Sequence, residues 1–146
     1  MHENKANRFL ALVVGVITAI ALVVVTVANK PATQLDRGKP EGAVQEYLTD
    51  VIAGDFDAAI KWVDPAGSCK IADLDASYFA KDVRISLVNT TETSTGAVVK
   101  VSIETPNGAP MGGYYSEEHV IRLTKTASGW LITGIPWPMY SCGMVK

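Results

Sequence analysis

One stretch of the chain restricts its fold more than any other: residues 9–28 (FLALVVGVITAIALVVVTVA) are apolar, with no charge and no proline. As a helix this run would rise about 30 Å, which matches the hydrocarbon core of a bilayer. We therefore predict a cytoplasmic N-terminus at residues 1–8, a transmembrane helix at residues 9–28 and a polar linker at residues 29–39. The remaining residues, 40–146, are enough for one domain with a modest core.

The same run has a second interpretation, as a secretory signal peptide that is cleaved after the small residues 26–28 (TVA). The apolar region of a signal peptide usually spans about 7 to 15 residues, and a polar stretch usually separates it from the cut. This run is longer and has no such polar stretch. Retention as an uncleaved anchor is therefore favoured, and cleavage stays the open alternative.

The orientation of the chain depends on its two cysteines, because the basic residues on either side of the apolar run nearly balance. Cys69 and Cys142 both follow the run, and two is the number needed for one disulfide. Disulfides persist outside the cytoplasm, so a Cys69–Cys142 pair predicts an extracytoplasmic C-terminal domain and a cytoplasmic N-terminus. The alternative is two unrelated buried thiols.

One face of the apolar run carries small residues at four-residue spacing: Ala11, Gly15 and Ala19. In lipid, small residues let two helix backbones approach each other closely, so such faces are where membrane helices associate. We predict that this face contacts an integral-membrane protein partner, while the rest of the helix contacts membrane lipid. The alternative is that small residues are simply common in membrane helices.

After the linker, the hydrophobic period is first helical and then alternating. Apolar residues at helical spacing predict two helices, at residues 40–54 and 55–65, and a weaker pattern predicts a third short helix at residues 71–81. Strict alternation then predicts four antiparallel strands, at residues 83–87, 97–103, 121–123 and 130–135. The expected fold class is α+β, with two or three helices packed on a curved antiparallel sheet.

Two segments resemble domains of the NTF2-like superfamily. Residues 41–65 (EGAVQEYLTDVIAGDFDAAIKWVDP) are similar to the two opening helices of those domains, and residues 119–135 (HVIRLTKTASGWLITGI) are similar to their closing strands. The likeness is greatest to small membrane-anchored extracytoplasmic versions of actinobacterial type. The resemblance implies a cone whose sheet and helices enclose an apolar pocket. Family members range from isomerases and dehydratases to scaffolds of membrane secretion systems, so no functional residue carries over.

Three polar residues near the third strand are candidates for that pocket. Tyr115, Glu117 and His119 share strand parity with Ile121 and Leu123, so the alternation aims them toward the core or the mouth of the pocket. A Tyr–Glu–His set is capable of acid–base chemistry. The alternative is that they are solvated or purely structural residues near the start of the strand, and we assign no catalytic residue.

The tail and the overall composition limit the remaining options. Three large side chains near the C-terminus predict either a partner surface or a cover over the end of the sheet: Trp137, Met139 and Tyr140. The chain has two histidines and no metal-ligand spacing, so we predict no metal and no cofactor. Its net charge of −2 and the lack of a basic cluster argue against a nucleic acid partner.

Together these features predict a single-pass protein of the cell membrane that serves as a non-enzymatic accessory or scaffold subunit of a membrane protein assembly. The alternative is an extracytoplasmic binding module for a small apolar ligand or lipid. An isomerase or dehydratase of the NTF2-like kind is a third hypothesis.

Overall fold

The computed structural model of the protein describes residues 33–75, 82–108, 112–135 and 142. From Gln34 onward these residues belong to one compact unit. None of the described helices is long and apolar enough to cross a membrane. The predicted transmembrane helix at residues 9–28 lies outside the described residues.

The first helix, α1 (Pro40–Ala53), begins and ends where the sequence predicts. Proline suits the first turn of a helix because its missing N–H has no partner there in any case. The helix ends at Gly54, whose φ of 77° places it in the left-handed region that glycine adopts at low cost. The Gly54 and Asp55 N–H groups then satisfy carbonyls of the last turn.

The second helical segment is shorter than the helix predicted at residues 55–65. It consists of α2 (Phe56–Ala59) and a 3₁₀ turn (Ile60–Trp62). Asp55 caps it, because its carboxylate accepts a hydrogen bond of 3.0 Å from the N–H of Ala58. The third helix, α3, covers Ile71–Asp75, and the rest of the predicted helix to residue 81 lies outside the described residues.

The strands form one antiparallel sheet in the order β1-β2-β3-β4, which confirms the predicted α+β class and the four-stranded antiparallel sheet. Their bounds are Arg84–Glu92, Gly96–Pro106, Tyr114–Thr126 and Gly129–Ile132. The last strand is shorter than the predicted residues 130–135, because Gly134 takes a left-handed φ of 83° and turns the chain away. Ile135 pairs instead with Cys142.

The helices cover one face of the sheet, called the inner face below. Its buried side chains alternate along the strands with exposed ones, which belong to the outer face. The core combines apolar residues of α1 with inner-face residues of the sheet, and its largest fully buried side chains are Tyr47, Leu74, Ile121, Ile132 and Ile135.

Strand β1 lies at one edge of the sheet and contains a bulge. Leu87 lies opposite Val101 and Asn89 lies opposite Lys100, which leaves Val88 as the extra residue. Because of the bulge, Ile85 and Leu87 before it and Thr90 after it all lie on the inner face.

The last residues of the predicted linker contact the domain. The guanidinium group of Arg37 donates two hydrogen bonds, of 2.9 and 3.0 Å, to the carboxylate of Glu46 on α1. The indole N–H of Trp130 on β4 donates to the carbonyl of Gly38 at 3.2 Å. The segment before α1 is therefore tied to both the helical layer and the sheet.

The two cysteines form the predicted disulfide. The Cα atoms of Cys69 and Cys142 lie 5.5 Å apart, across a sequence separation of 73 residues. Two backbone hydrogen bonds, of 2.9 and 3.3 Å, join Ile135 and Cys142. The disulfide thus links the segment before α3 to Cys142, which pairs with Ile135 after β4.

Candidate functional site

Tyr115, Glu117 and His119 lie on the inner face of β3, in the same row as the buried Ile121 and Leu123. Exposure rises steadily along this row toward the start of the strand. Ile121 is 1% exposed, the side chain of His119 is 10% exposed, and that of Glu117 is 47% exposed. Tyr115 reaches 60%. The row therefore passes from the core to solvent within one strand.

The three polar side chains interact through the carboxylate of Glu117. The hydroxyl of Tyr115 donates a hydrogen bond of 3.1 Å to Glu117 Oε1. Glu117 Oε2 lies 3.6 Å from Nε2 of His119, which is too long for a hydrogen bond but close enough for a charge interaction when the imidazole is protonated. His119 Nε2 is therefore buried without a hydrogen-bond partner in the described residues.

The hydrogen bond to Glu117 raises the pKa of the Tyr115 hydroxyl, and the negative charge of the carboxylate acts in the same direction. Both effects favour the protonated phenol. Tyr115 thus serves as a hydrogen-bond donor to Glu117 rather than as a source of phenolate. The side chain of Glu117 is 47% exposed, so its carboxylate can accept further hydrogen bonds from a ligand or a partner.

The surroundings of this set are apolar. On the neighbouring strand β2, Ile103 lies opposite Glu117 and Val101 lies opposite His119. On β1, Leu87 continues the Val101 row and is 47% exposed. We call Leu87, Tyr115, Glu117 and His119 the inner-face site. It offers one carboxylate, one buried imidazole nitrogen and two exposed large side chains, and the core residues Val101 and Ile103 lie on β2 between them.

Two further buried polar atoms have no hydrogen-bond partner among the described residues: the hydroxyls of Tyr47 on α1 and Thr90 on β1. Tyr47 is fully buried, and burial raises the pKa of its hydroxyl, so it stays protonated. Neither residue was predictable as a site residue, because Tyr47 fits an apolar helical stripe and Thr90 fits a strand. The bulge at Val88 places Thr90, rather than Asn89, in the inner-face register, and alternation alone does not reveal a bulge.

The other predicted site residues are distributed as follows. The disulfide pair Cys69 and Cys142 is described above. The predicted helix-packing residues Ala11, Gly15 and Ala19 lie outside the described residues, as do the predicted partner-surface residues Trp137, Met139 and Tyr140. In the part of the chain that the structure describes, no group of three or more His, Cys, Asp or Glu side chains is arranged to hold a metal ion.

No protein-family model matches this sequence, and no curated protein matches it significantly. Among solved structures, the chain is similar to a SEC-C motif containing protein from Rhodopseudomonas palustris. The TM-score is 0.51 at 15% sequence identity, and the match covers 67% of this chain and 77% of that chain. At this identity the likeness concerns the fold alone.

Proposed function

We propose that this chain is a single-pass membrane protein that serves as a non-enzymatic accessory subunit of a membrane protein assembly, with an extracytoplasmic domain of NTF2-like type. The apolar run at residues 9–28 supplies the anchor. The Cys69–Cys142 pair supports the location, because disulfides persist in oxidising compartments and both cysteines follow the run.

The observation that carries the accessory role is the exposure of Leu87 and Tyr115 at the inner-face site. They are 47% and 60% exposed on the same face of the sheet whose other half forms the core. Large apolar and aromatic side chains left exposed on a surface are typical of protein contact sites, and tyrosine is enriched among residues that dominate binding energy. A partner that docks on the open half of the inner face would bury both side chains and donate hydrogen bonds to the carboxylate of Glu117.

Purification of the full chain from its own membrane in a mild detergent tests this role. We expect a stoichiometric integral-membrane partner with the wild type, and its loss with the double variant Leu87→Ser/Tyr115→Ser. The matched control is Tyr114→Ser/Val120→Ser, which removes a tyrosine and an aliphatic side chain that are 46% and 40% exposed on the outer face of the same sheet. Equal retention of the partner by both double variants would contradict the proposal.

The membrane helix supplies a second test of the same role. Leucine at Gly15 would separate two helix backbones that pack through the Ala11–Gly15–Ala19 face, so Gly15→Leu should weaken association with the partner. Val13→Leu adds bulk on the opposite side of the helix and is the control. The helix-face hypothesis fails if the two variants retain the partner equally.

A second candidate function, the binding of a small ligand or lipid, is favoured by one specific observation. His119 Nε2 is buried without a hydrogen-bond partner among the described residues, beside the carboxylate of Glu117 and next to the core residues Val101 and Ile103. A ligand with an apolar body and one polar group would satisfy that nitrogen. In this case the chain should purify alone and carry an extractable lipid in stoichiometric amount, which His119→Phe should remove and the outer-face control should not.

A further inference from the structure

A groove lies on the outer face of the sheet, away from the inner-face site. Its volume is about 380 Å³, and it crosses β1, β2 and β3 beside the β1–β2 turn. Gly96 and Val98 of β2 form its floor. Its walls are side chains of β1, of the β1–β2 turn, of β3 and of the residue that follows β4: Thr91, Thr93, Arg122, Thr124 and Thr133. A side chain at residue 96 has no room, because its Cβ would lie 2.9 Å from the carbonyl oxygen of Leu123. Glycine at residue 96 therefore leaves the floor of the groove free of a side chain at this position.

The groove contains an unpaired positive charge. The strands carry four cationic side chains, and three of them have partners: Arg84 lies over a tyrosine ring, while Lys100 and Lys125 form ion pairs with glutamates. The side chain of Arg122 forms no hydrogen bond or ion pair within the described residues. The described residues that line the groove include no Asp or Glu, so none of them neutralises this charge. A planar guanidinium in such a position suits a carboxylate or a phosphate group.

The threonine hydroxyls give the groove acceptors as well as donors. Thr124 and Thr133 donate their protons to backbone carbonyls, at 3.5 and 3.1 Å, so only their oxygen lone pairs are open to a ligand. Thr91 accepts a hydrogen bond of 3.4 Å from Asn89 and keeps its own proton for donation. Thr91 and Arg122 stand in one cross-strand row on opposite sides of Val98. A simple anion would accept hydrogen bonds from Arg122 and Thr91. It would leave the hydroxyl oxygens of Thr124 and Thr133 without a donor.

We propose that this groove binds a small anionic polyol, meaning a sugar unit that carries a carboxylate or a phosphate. The anionic group pairs with Arg122, and the sugar hydroxyls donate to Thr124 and Thr133 while one accepts from Thr91. The volume is near the lower end of the range of small-molecule sites, roughly 300 to 1,000 Å³, which suits one sugar unit. This site is independent of the proposed accessory function, because it lies on the other face of the sheet.

Titration of the full chain in detergent micelles, followed by NMR shifts of the Arg122 side chain and of the amides at residues 91–98, tests the site. The probes are glucuronate, glucose 6-phosphate, glucose and inorganic phosphate, all at one ionic strength. We expect saturable binding of both charged sugars with a Kd on the order of 1 mM, and weaker binding of glucose and of phosphate. If one charged sugar binds roughly tenfold more tightly than the other, the natural ligand carries that anionic group.

Arg122→Gln should weaken binding of the charged sugars by roughly tenfold or more, because it removes a charge-assisted hydrogen bond. Arg84→Gln is the matched control on the same face and should change binding less than about twofold. Binding of phosphate as tight as that of glucose 6-phosphate would overturn the polyol assignment. Binding of glucose as tight as that of glucuronate would overturn the role of the charge. Equal effects of the two arginine variants, or no saturable binding, would overturn the site itself.

Discussion

The two halves of the β3 inner face have the same alternation and opposite surroundings. In the C-terminal half, Ile121 and Leu123 are 1% and 4% exposed and belong to the core. In the N-terminal half, Glu117 and Tyr115 are 47% and 60% exposed and interact with each other. His119 stands at the boundary, with a buried nitrogen that has no hydrogen-bond partner in the part of the chain that the structure describes. Strand parity decides the face of a side chain, whereas the elements packed against that face decide whether it is core or contact surface.

Substitutions in the two halves should differ most in how much they lower the free energy of unfolding. Ile121→Ala should lower the free energy of unfolding by about 2 to 5 kcal/mol, because it removes a fully buried side chain and leaves a cavity. Glu117→Ala, two rows along on the same face, should change it by less than about 0.5 kcal/mol because it alters an exposed site. Urea midpoints of the full chain in one detergent, followed by circular dichroism, measure both. Similar decreases in the free energy of unfolding of the two variants would contradict the division of β3 into a core half and an exposed half.

The disulfide should matter nearly as much, because it ties the segment before α3 to the segment after β4. Replacing both Cys69 and Cys142 by alanine should cost about 2 to 4 kcal/mol, since the closed loop is long. The same urea measurement detects the loss, and a reducing agent should reproduce it in the wild type but not in the double variant. A wild-type midpoint that is unchanged by reduction would contradict the structural role of the pair.

A substitution at Tyr47 distinguishes a core that contains only the protein's own side chains from a core that holds a ligand. Its buried hydroxyl has no hydrogen-bond partner in the described residues, so Tyr47→Phe should raise the free energy of unfolding by about 1 kcal/mol. If the hydroxyl instead contacts a bound molecule, the variant is less stable than the wild type. Leu48→Ala at a neighbouring core position provides the reference for an ordinary loss of packing.

The smallest effect concerns the hydroxyl of Tyr115. Glu117→Gln should lower the pKa of Tyr115 toward its usual value, because the carboxylate both accepts its hydrogen bond and repels phenolate. Because the pKa of Tyr115 is raised in the folded state, this group stabilises the fold at pH values below its unfolded-state pKa of about 10. The stabilisation is lost as the pH rises through the folded-state pKa. Ultraviolet difference titration of the wild type, the variant and Tyr115→Phe isolates this group. An unchanged titration in Glu117→Gln would show that the hydrogen bond does not form.

Much of the fold followed from local signals in the sequence. Proline at residue 40, Gly54 at the end of α1 and Asp55 as the cap of α2 each act within a few residues, so their consequences were predictable. The bulge at Val88 and the turn of the chain at Gly134 were not, because they depend on pairing and backbone angles that alternation does not encode. The cysteine pairing was predictable by count alone, since the chain has two cysteines.

The candidate site was predictable only in part, for the same reason. Parity placed Tyr115, Glu117 and His119 on one face, and the structure places them within reach of each other. The exposure of Leu87 depends on which distant elements cover it, and so does the lack of a hydrogen-bond partner for the hydroxyls of Tyr47 and Thr90 among the described residues. The position of Arg122 was equally hidden, because it depends on which described residues line one groove, and none of these is acidic.

Side-chain footprinting of the inner face tests most directly whether its open half is a contact surface. The full chain is labelled by hydroxyl radicals in its own membrane and again after purification to a single species in detergent. We predict that Tyr115 and Leu87 are strongly protected in the membrane and reactive in the purified chain, while Tyr114 on the outer face reacts equally in both. Tyr115 and Leu87 that react equally in both states would contradict a partner docked on this half of the sheet.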